Sequence, residues 1–186
     1  MLGVTELKKA GIEYVEGASL RPTKKSRYEI EALATAFASK ISYVAGSGDN
    51  LVQRISDFYK DRVTFAKHSL ADWHQPGSIY VHGEGEFDII TEAFSMNERT
   101  NFTIGHELGH YVLHSNEGAS PIVAYRAGTG PLEWEANWFS AALLLPQTTF
   151  QKIASEQGFD IFNISRIFNV SSSAVQVRLK FFGLIE

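Results

Sequence analysis

The residues with the clearest chemical capacity are His106-Glu107-Leu108-Gly109-His110. On a helix, positions i and i+4 share a face about one turn apart, so both imidazoles can reach one metal ion. Zinc binds imidazole nitrogen at about 2.0–2.1 Å, which suits that placement. Glu107 follows the first histidine directly. Its carboxylate can flank the ion without binding it and take a proton from a metal-bound water, whose pKa zinc lowers to about 7. The pattern therefore serves metal-assisted hydrolysis, with Glu107 as general base. Gly105 and Gly109 precede the two histidines, and each mid-helix glycine costs about 0.5–1 kcal/mol against alanine. That cost makes sense if another backbone must approach the helix closely there.

A catalytic zinc takes three protein ligands and a water. His114 lies about 12 Å along a continuous helix from His106, too far for the same ion. A glycine bend with a histidine ten residues after the first is ruled out, since position 116 is Asn. His68, His74 and His82 precede the motif in strand or loop context and are read as ordinary polar residues, with His82 of interest on the substrate side. Two glutamates remain, Glu133 and Glu135, on the next predicted helix. Glu135, Phe139 and Ala142 share one face of it, and Trp134, Trp138, Ala141 and Leu145 another. Both faces look buried. A buried carboxylate needs a partner, which a metal would supply, whereas an acid at Glu133 is favourable near a helix start for dipole reasons alone. Burial thus favours Glu135 over Glu133 as third ligand beside His106 and His110. Zinc suits such a donor set, and manganese or iron could also occupy it.

The elements that must position these groups follow from local signals. Ser26 and Glu29 form a capping box before a helix marked by Ile30, Leu33, Ala34, Phe37, Ala38 and Ile41. Asp49 is the candidate cap of a second helix containing Leu51, Ile55, Phe58 and Tyr59. Val63–Phe65, Ser78–His82 and Phe87–Phe94 read as strands of a small antiparallel or mixed sheet, turning at Gly83 and Gly85. Ser95 and Glu98 have capping-box spacing and open a helix over about 97–114. Residues 115–130 read as a loop. Pro131 begins and Pro146 ends the helix that carries the glutamates. Three short helices then follow, near 148–157, 161–168 and 172–182, with Gly158 and Gly183 at C-terminal caps. The expected fold class is α+β. Residues 1–146 form the core, and residues 147–186 form a helical extension that resembles a helix-turn-helix and packs on the core.

Composition narrows the functional classes. With 17 basic and 21 acidic residues the net charge is −4, which predicts no broad electrostatic grip on DNA or an anionic membrane. No apolar run approaches the roughly 18 residues of a membrane span, and no signal peptide is evident. The absence of cysteine excludes thiolate metal ligands and disulfides and fits the cytosol.

The run from Phe102 to His114, with His106-Glu107-Leu108-Gly109-His110 at its centre, resembles the active-site helix of the ImmA/IrrE family of metallopeptidases. The run from Glu133 to Pro146, containing Glu135-Ala136-Asn137, is similar to that family's second motif. The resemblance spans roughly residues 29–186. It implies a gluzincin-like fold, with a small sheet beside the active-site helix and a helical remainder. It implies a zinc cofactor, with the glutamate before Ala-Asn, here Glu135, as third ligand. It also implies a cytoplasmic endopeptidase that cleaves a helix-turn-helix (XRE-type) repressor, often encoded next door, and so derepresses mobile-element or stress genes. A non-proteolytic anti-repressor that sequesters the repressor is the alternative.

The oxyanion of a tetrahedral intermediate needs a stabiliser, for which Tyr111, Tyr125, Arg126 and His82 are candidates. In the C-terminal part, Ser171 would cap the last helix, and Ser172, Ser173, Gln176, Arg178 and Lys180 could contact DNA. Only Arg166, Arg178 and Lys180 are basic there, so a packing or repressor-docking role is favoured. Ile164, Ile167, Val175, Val177, Leu179 and Phe182 would then face the core, and direct DNA binding is not expected.

Overall fold

Helix α1, Arg27–Lys40, starts at a reciprocal capping box. Ser26 Oγ accepts the Glu29 N–H at 3.3 Å, and a Glu29 carboxylate oxygen accepts the Ser26 N–H at 2.8 Å. Its core face is Ile30, Ala34 and Phe37. Helix α2, Leu51–Tyr59, is capped by Asn50 and not by the neighbouring Asp49. Asp49 instead accepts the Val44 N–H and pairs with Arg54, both at 2.9 Å, closing the loop ahead of the helix. The structure, a computed structural model, describes residues 15–16, 20–68, 77–92, 97–125 and 129–186, with the backbone alone for residues 15, 16, 68, 97 and 125. His74, Ser95 and Arg126 lie outside the described residues.

Among the described residues, five strands form one mixed sheet: β1 (Val15–Glu16), β2 (Val63–His68), β3 (Gly77–Gly83), β4 (Glu86–Glu92) and β5 (Ile122–Tyr125). Their spatial order is β1-β5-β3-β4-β2. β3 and β4 form a hairpin around Glu84-Gly85, where Gly85 has a φ of 70°. β3 is also antiparallel to β5, whereas β2 runs parallel to β4 and β1 parallel to β5. The β5 segment corrects the reading of residues 115–130 as loop. Four residues give too short an alternation to register as a strand, and the free edge of β3 supplies the backbone partners that order them. One face of the sheet, with Ile79, Val81, Phe87, Ile89, Ile122 and Ala124, enters the hydrophobic core.

Helix α3, Asn97–Gly109, continues into a π-helical turn, His110–His114, closed by the Ser115 N–H donating to His110 C=O at 3.0 Å. Helix α4, Pro131–Leu144, lies across it. The contact is close because α3 lacks side chains there. A Cβ at Gly109 would stand 2.9 Å from Ala136 Cα, and one at Gly105 would stand 2.6 Å from Ser140 Oγ. The two glycines thus let α4 approach the histidines, as their cost to the helix suggested. Gly109→Ala gains helix propensity of about 1 kcal/mol but must displace backbone. The expected net loss is about 1–2 kcal/mol, or a Tm lower by about 3–6 °C. Thermal denaturation checks this, and an unchanged or higher Tm would mean that the helices have room to spare.

Helices α5 (Gln147–Glu156), α6 (Ile161–Phe168) and α7 (Ser172–Phe181) complete the chain. Ser171 caps α7 by accepting the Ala174 N–H at 3.2 Å. Phe150, Ala154, Ile164, Phe168, Val175 and Leu179 join the same core as the sheet and α1. Arg178 is 1% exposed. Its Nε donates to Leu145 C=O at 3.0 Å and its Nη1 to Glu31 at 2.8 Å. Two expectations about buried faces are corrected. Val177 is 64% exposed and Trp134 52% exposed, so α7 and α4 each turn an apolar residue outward.

Candidate metal centre

His106, on α3, and His110, which opens the π-helical turn that continues it, project to one side, and their Nε2 atoms approach to 3.2 Å. The carboxylate that meets them comes from the first turn of α4. Glu133 Oε2 lies 3.1 Å from His106 Nε2, and Oε1 lies 3.5 Å from His110 Nε2. His106, His110 and Glu133 form a group whose ligand atoms all lie within 4.8 Å of one another. Three ligands of a tetrahedral ion with bonds near 2.0–2.1 Å are separated by about 3.3 Å. The donor set and its spacing fit such an ion.

The expectation that Glu135 completes this group is corrected by the geometry. Glu135 is buried, as its helical face suggested, but its carboxylate is satisfied elsewhere. Oε2 accepts the Thr23 N–H at 2.9 Å and meets His114 Nε2 at 3.0 Å, while Oε1 accepts the Lys24 N–H at 3.1 Å. Glu133 precedes it by two residues, so the two side chains leave the helix in widely different directions. The missed signal was polar rather than apolar. Glu133, Asn137 and Ser140 recur at i, i+4 and i+7, and this is the face that α3 sees. Asn137 Oδ1 lies 3.0 Å from His106 Nδ1, and Ser140 Oγ donates to Phe102 C=O at 2.9 Å. His114, set aside as a ligand, lies outside the group of His106, His110 and Glu133, yet its Nδ1 stands 2.9 Å from His110 Nδ1.

Glu107 is fully buried beside the pair. The start of β3 passes directly over it. A Cβ on Gly77 would stand 2.7 Å from Glu107 Oε1 and 2.5 Å from Thr103 Cγ2, so the absence of a side chain at Gly77 leaves the carboxylate its place. An apolar cavity of about 410 Å³, lined by residues including Trp134, Asn137, Trp138 and Val177, opens beside α4. Asn137 also holds His106, but His106, Glu107, His110 and Glu133 do not line this cavity.

The other candidates lie elsewhere. Tyr111 is 1% exposed, and its hydroxyl accepts the Gly85 N–H at 2.9 Å while its ring packs on Phe87. It is a core residue, not an oxyanion donor. His82 pairs with Asp88 at 2.9 Å, and the Asp88 hydrogen bond raises its pKa. Tyr125 ends β5.

Electrostatics favour a neutral His110 imidazole beside an ionised Glu133 carboxylate, a combination suited to a cation. Burial pushes the His110 imidazole below its ordinary pKa, against the opposing hydrogen bond to Glu133. Burial would raise the Glu133 carboxyl, but hydrogen bonds with His106 and His110 outweigh it and bring the pKa to about 2. Burial, reinforced by His110, lowers His114 to about 4. For His114 the unfolded chain binds the proton first as pH falls through about 6.5, so it takes up more protons than the folded chain down to about 4. Stability of the metal-stripped protein is therefore expected to fall by roughly 1–3 kcal/mol as pH drops across that window. Urea unfolding at pH 7 and 4.5 measures the loss. His114→Asn should flatten it, and an equally steep dependence in the variant would assign it to another group.

Residues 63–180, more than half of the chain, match the model of the IrrE N-terminal-like domain, Peptidase_M78. The chain belongs to this metallopeptidase family. It is similar to the metallopeptidase ImmA of Bacillus subtilis (strain 168), with 26% identity over 144 residues, 76% of this chain and 82% of that protein. Its fold is similar to that of a Mycobacterium tuberculosis transcriptional regulator, with a TM-score of 0.58, 18% identity and 82% of this chain covered. That match spans 46% of the regulator, so the chain corresponds to under half of its length. Membership in the family implies a bound metal, for which His106, His110 and Glu133 provide the fitting group. No described helix is long and apolar enough to cross a membrane.

Proposed function

We propose that this chain is a zinc-dependent, site-specific endopeptidase of the cytoplasm that cleaves a helix-turn-helix repressor and so derepresses mobile-element or stress genes. The observation that carries the reading is the convergence of His106, His110 and Glu133 next to the buried Glu107, within a metallopeptidase family member. Two histidines and one glutamate form a ligand set known for catalytic zinc, leaving a fourth position for water or substrate. Zinc bound there supplies a Lewis acid and makes hydroxide available near neutral pH.

The protein's own groups do the rest. Asn137 orients His106 through its Nδ1. Glu107 takes a proton from the attacking water, whose oxygen bonds to the scissile carbonyl carbon. The same carboxyl then gives that proton to the amine nitrogen as the C–N bond breaks.

The peptidase core would span residues 1–146, with residues 147–186 as an extension packed on it. The burial of Arg178, bonded to Leu145 and Glu31, supports that role for the extension. It also leaves only Arg166 and Lys180 as basic residues free to meet phosphate in α6 and α7, which argues against DNA binding. Exposed Phe162, Val177 and Phe181 offer apolar surface for docking a protein.

Co-expression with the adjacently encoded repressor and a reporter tests the reading. Wild type should switch the reporter on and leave the repressor truncated on an immunoblot, and Glu107→Gln should do neither. If both proteins switch the reporter on with the repressor intact, the activity is sequestration instead of cleavage.

A further inference from the structure

Glu135 and His114 are buried polar residues on facing helices, and neither belongs to the metal group. His114 has a side chain 0% exposed and Glu135 one 5% exposed. Such burial is costly unless every polar atom is placed for a purpose. The hydrogen-bond geometry gives one. An ionised carboxylate can only accept, so His114 Nε2, 3.0 Å from Glu135 Oε2, carries its hydrogen. A neutral imidazole has a single N–H, which leaves His114 Nδ1 as an acceptor. His110 Nδ1, 2.9 Å away, must then donate to it. With a cation bound, the lone pair of His110 is consequently left on Nε2, the atom that faces His106 and Glu133 and that offers its hydrogen to Glu133 when no cation is there. His106 reaches the same state by a shorter route, with Nδ1 donating to Asn137 Oδ1 at 3.0 Å.

The other end of this chain of bonds lies far off in sequence. Glu135 also accepts the backbone N–H groups of Thr23 and Lys24. Lys24 has a φ of 59°, a left-handed conformation that a lysine adopts at a cost of about 1 kcal/mol or more. Something must hold it there, and the Glu135 carboxylate is the group it faces.

We propose that Glu135 and His114 are positioning residues of the metal centre, which fix the His110 tautomer and fasten the segment at Thr23 and Lys24 to the metal. The inference rests on the metal-centre reading and not on the identity of the substrate. An ion on His110 Nε2 requires a hydrogen on His110 Nδ1, and hence the whole relay in its bonded arrangement. By linkage, metal binding and anchoring of the segment support each other. Metal-binding histidines are oriented in this way by carboxylates, and loss of such a partner costs about 10–100-fold in affinity. Here a second histidine is interposed.

The test uses the full chain, metal-stripped and zinc-loaded, with amide hydrogen exchange at Thr23 and Lys24 and zinc affinity by chelator competition. In wild type, zinc should slow exchange at both amides by about tenfold or more. Glu135→Gln should bind zinc about 10–100-fold more weakly, and zinc should no longer protect the two amides. If that variant does not fold, His114→Gln is expected to weaken zinc similarly. Wild-type affinity in the folded variants, or exchange at Thr23 and Lys24 indifferent to zinc, would overturn the relay. Glu133→Ala separates this from the premise: if it binds zinc as wild type does, the metal-centre reading has failed.

Discussion

Glu107→Gln is expected to keep a full complement of metal and to lower the rate of peptide-bond hydrolysis by about 10²–10⁴-fold, the share that a positioned proton carrier supplies. Glutamine has nearly the same shape, so the packing of the buried side chain beneath Gly77 should persist. What is lost is the ability to accept a proton from water and pass it to the leaving amine. Steady-state cleavage of the partner protein, with zinc per chain measured alongside, reads both quantities. Loss of metal in the variant would show that Glu107 helps hold the ion. Undiminished turnover would place the general base elsewhere.

Glu133→Ala is expected to weaken metal binding by about 10²–10³-fold. The figure follows if one ligand carries roughly a quarter of the ~10–16 kcal/mol found for structural zinc sites. The histidine pair remains, so affinity should fall without vanishing, and cleavage should return at raised zinc concentration only in part. Chelator competition on wild type and variant gives the ratio. The effect should exceed that of Glu135→Gln, because Glu133 faces the ion site directly whereas Glu135 reaches it through two imidazoles. The reverse order would make Glu135 the ligand.

The contrast between these two glutamates shows what the sequence could convey. Burial was a sound guide to which side chain needed a partner: Glu135 is 4% exposed and has three hydrogen-bond partners. It was a poor guide to which one faces the metal. A catalytic ion must be reachable by substrate, so a ligand at the mouth keeps some exposure, here 13% of the Glu133 side chain. The histidine pair was legible because its geometry is fixed inside one helix. The third ligand depends on how a second helix is rotated, which no local signal sets.

The same division runs through the fold. Helix limits were legible wherever a cap or a proline acts locally, as at Ser26, Pro131, Pro146 and Ser171. Gly105 and Gly109 even announced a close helix contact, because a mid-helix glycine has a cost that packing must offset. Strand β5 was not legible, since its order derives from the edge of β3. The exposure of Trp134 and Val177 escaped notice for a related reason: an apolar periodicity marks the faces of a helix without saying which of them a neighbour covers.

The position of the metal tests the account most directly. Crystals of the zinc-loaded protein, measured above and below the zinc absorption edge, should give one strong anomalous peak about 2.0–2.2 Å from His106 Nε2, His110 Nε2 and a Glu133 carboxylate oxygen. A peak bonded to Glu135 or His114, or a protein that takes up no zinc there, would contradict it.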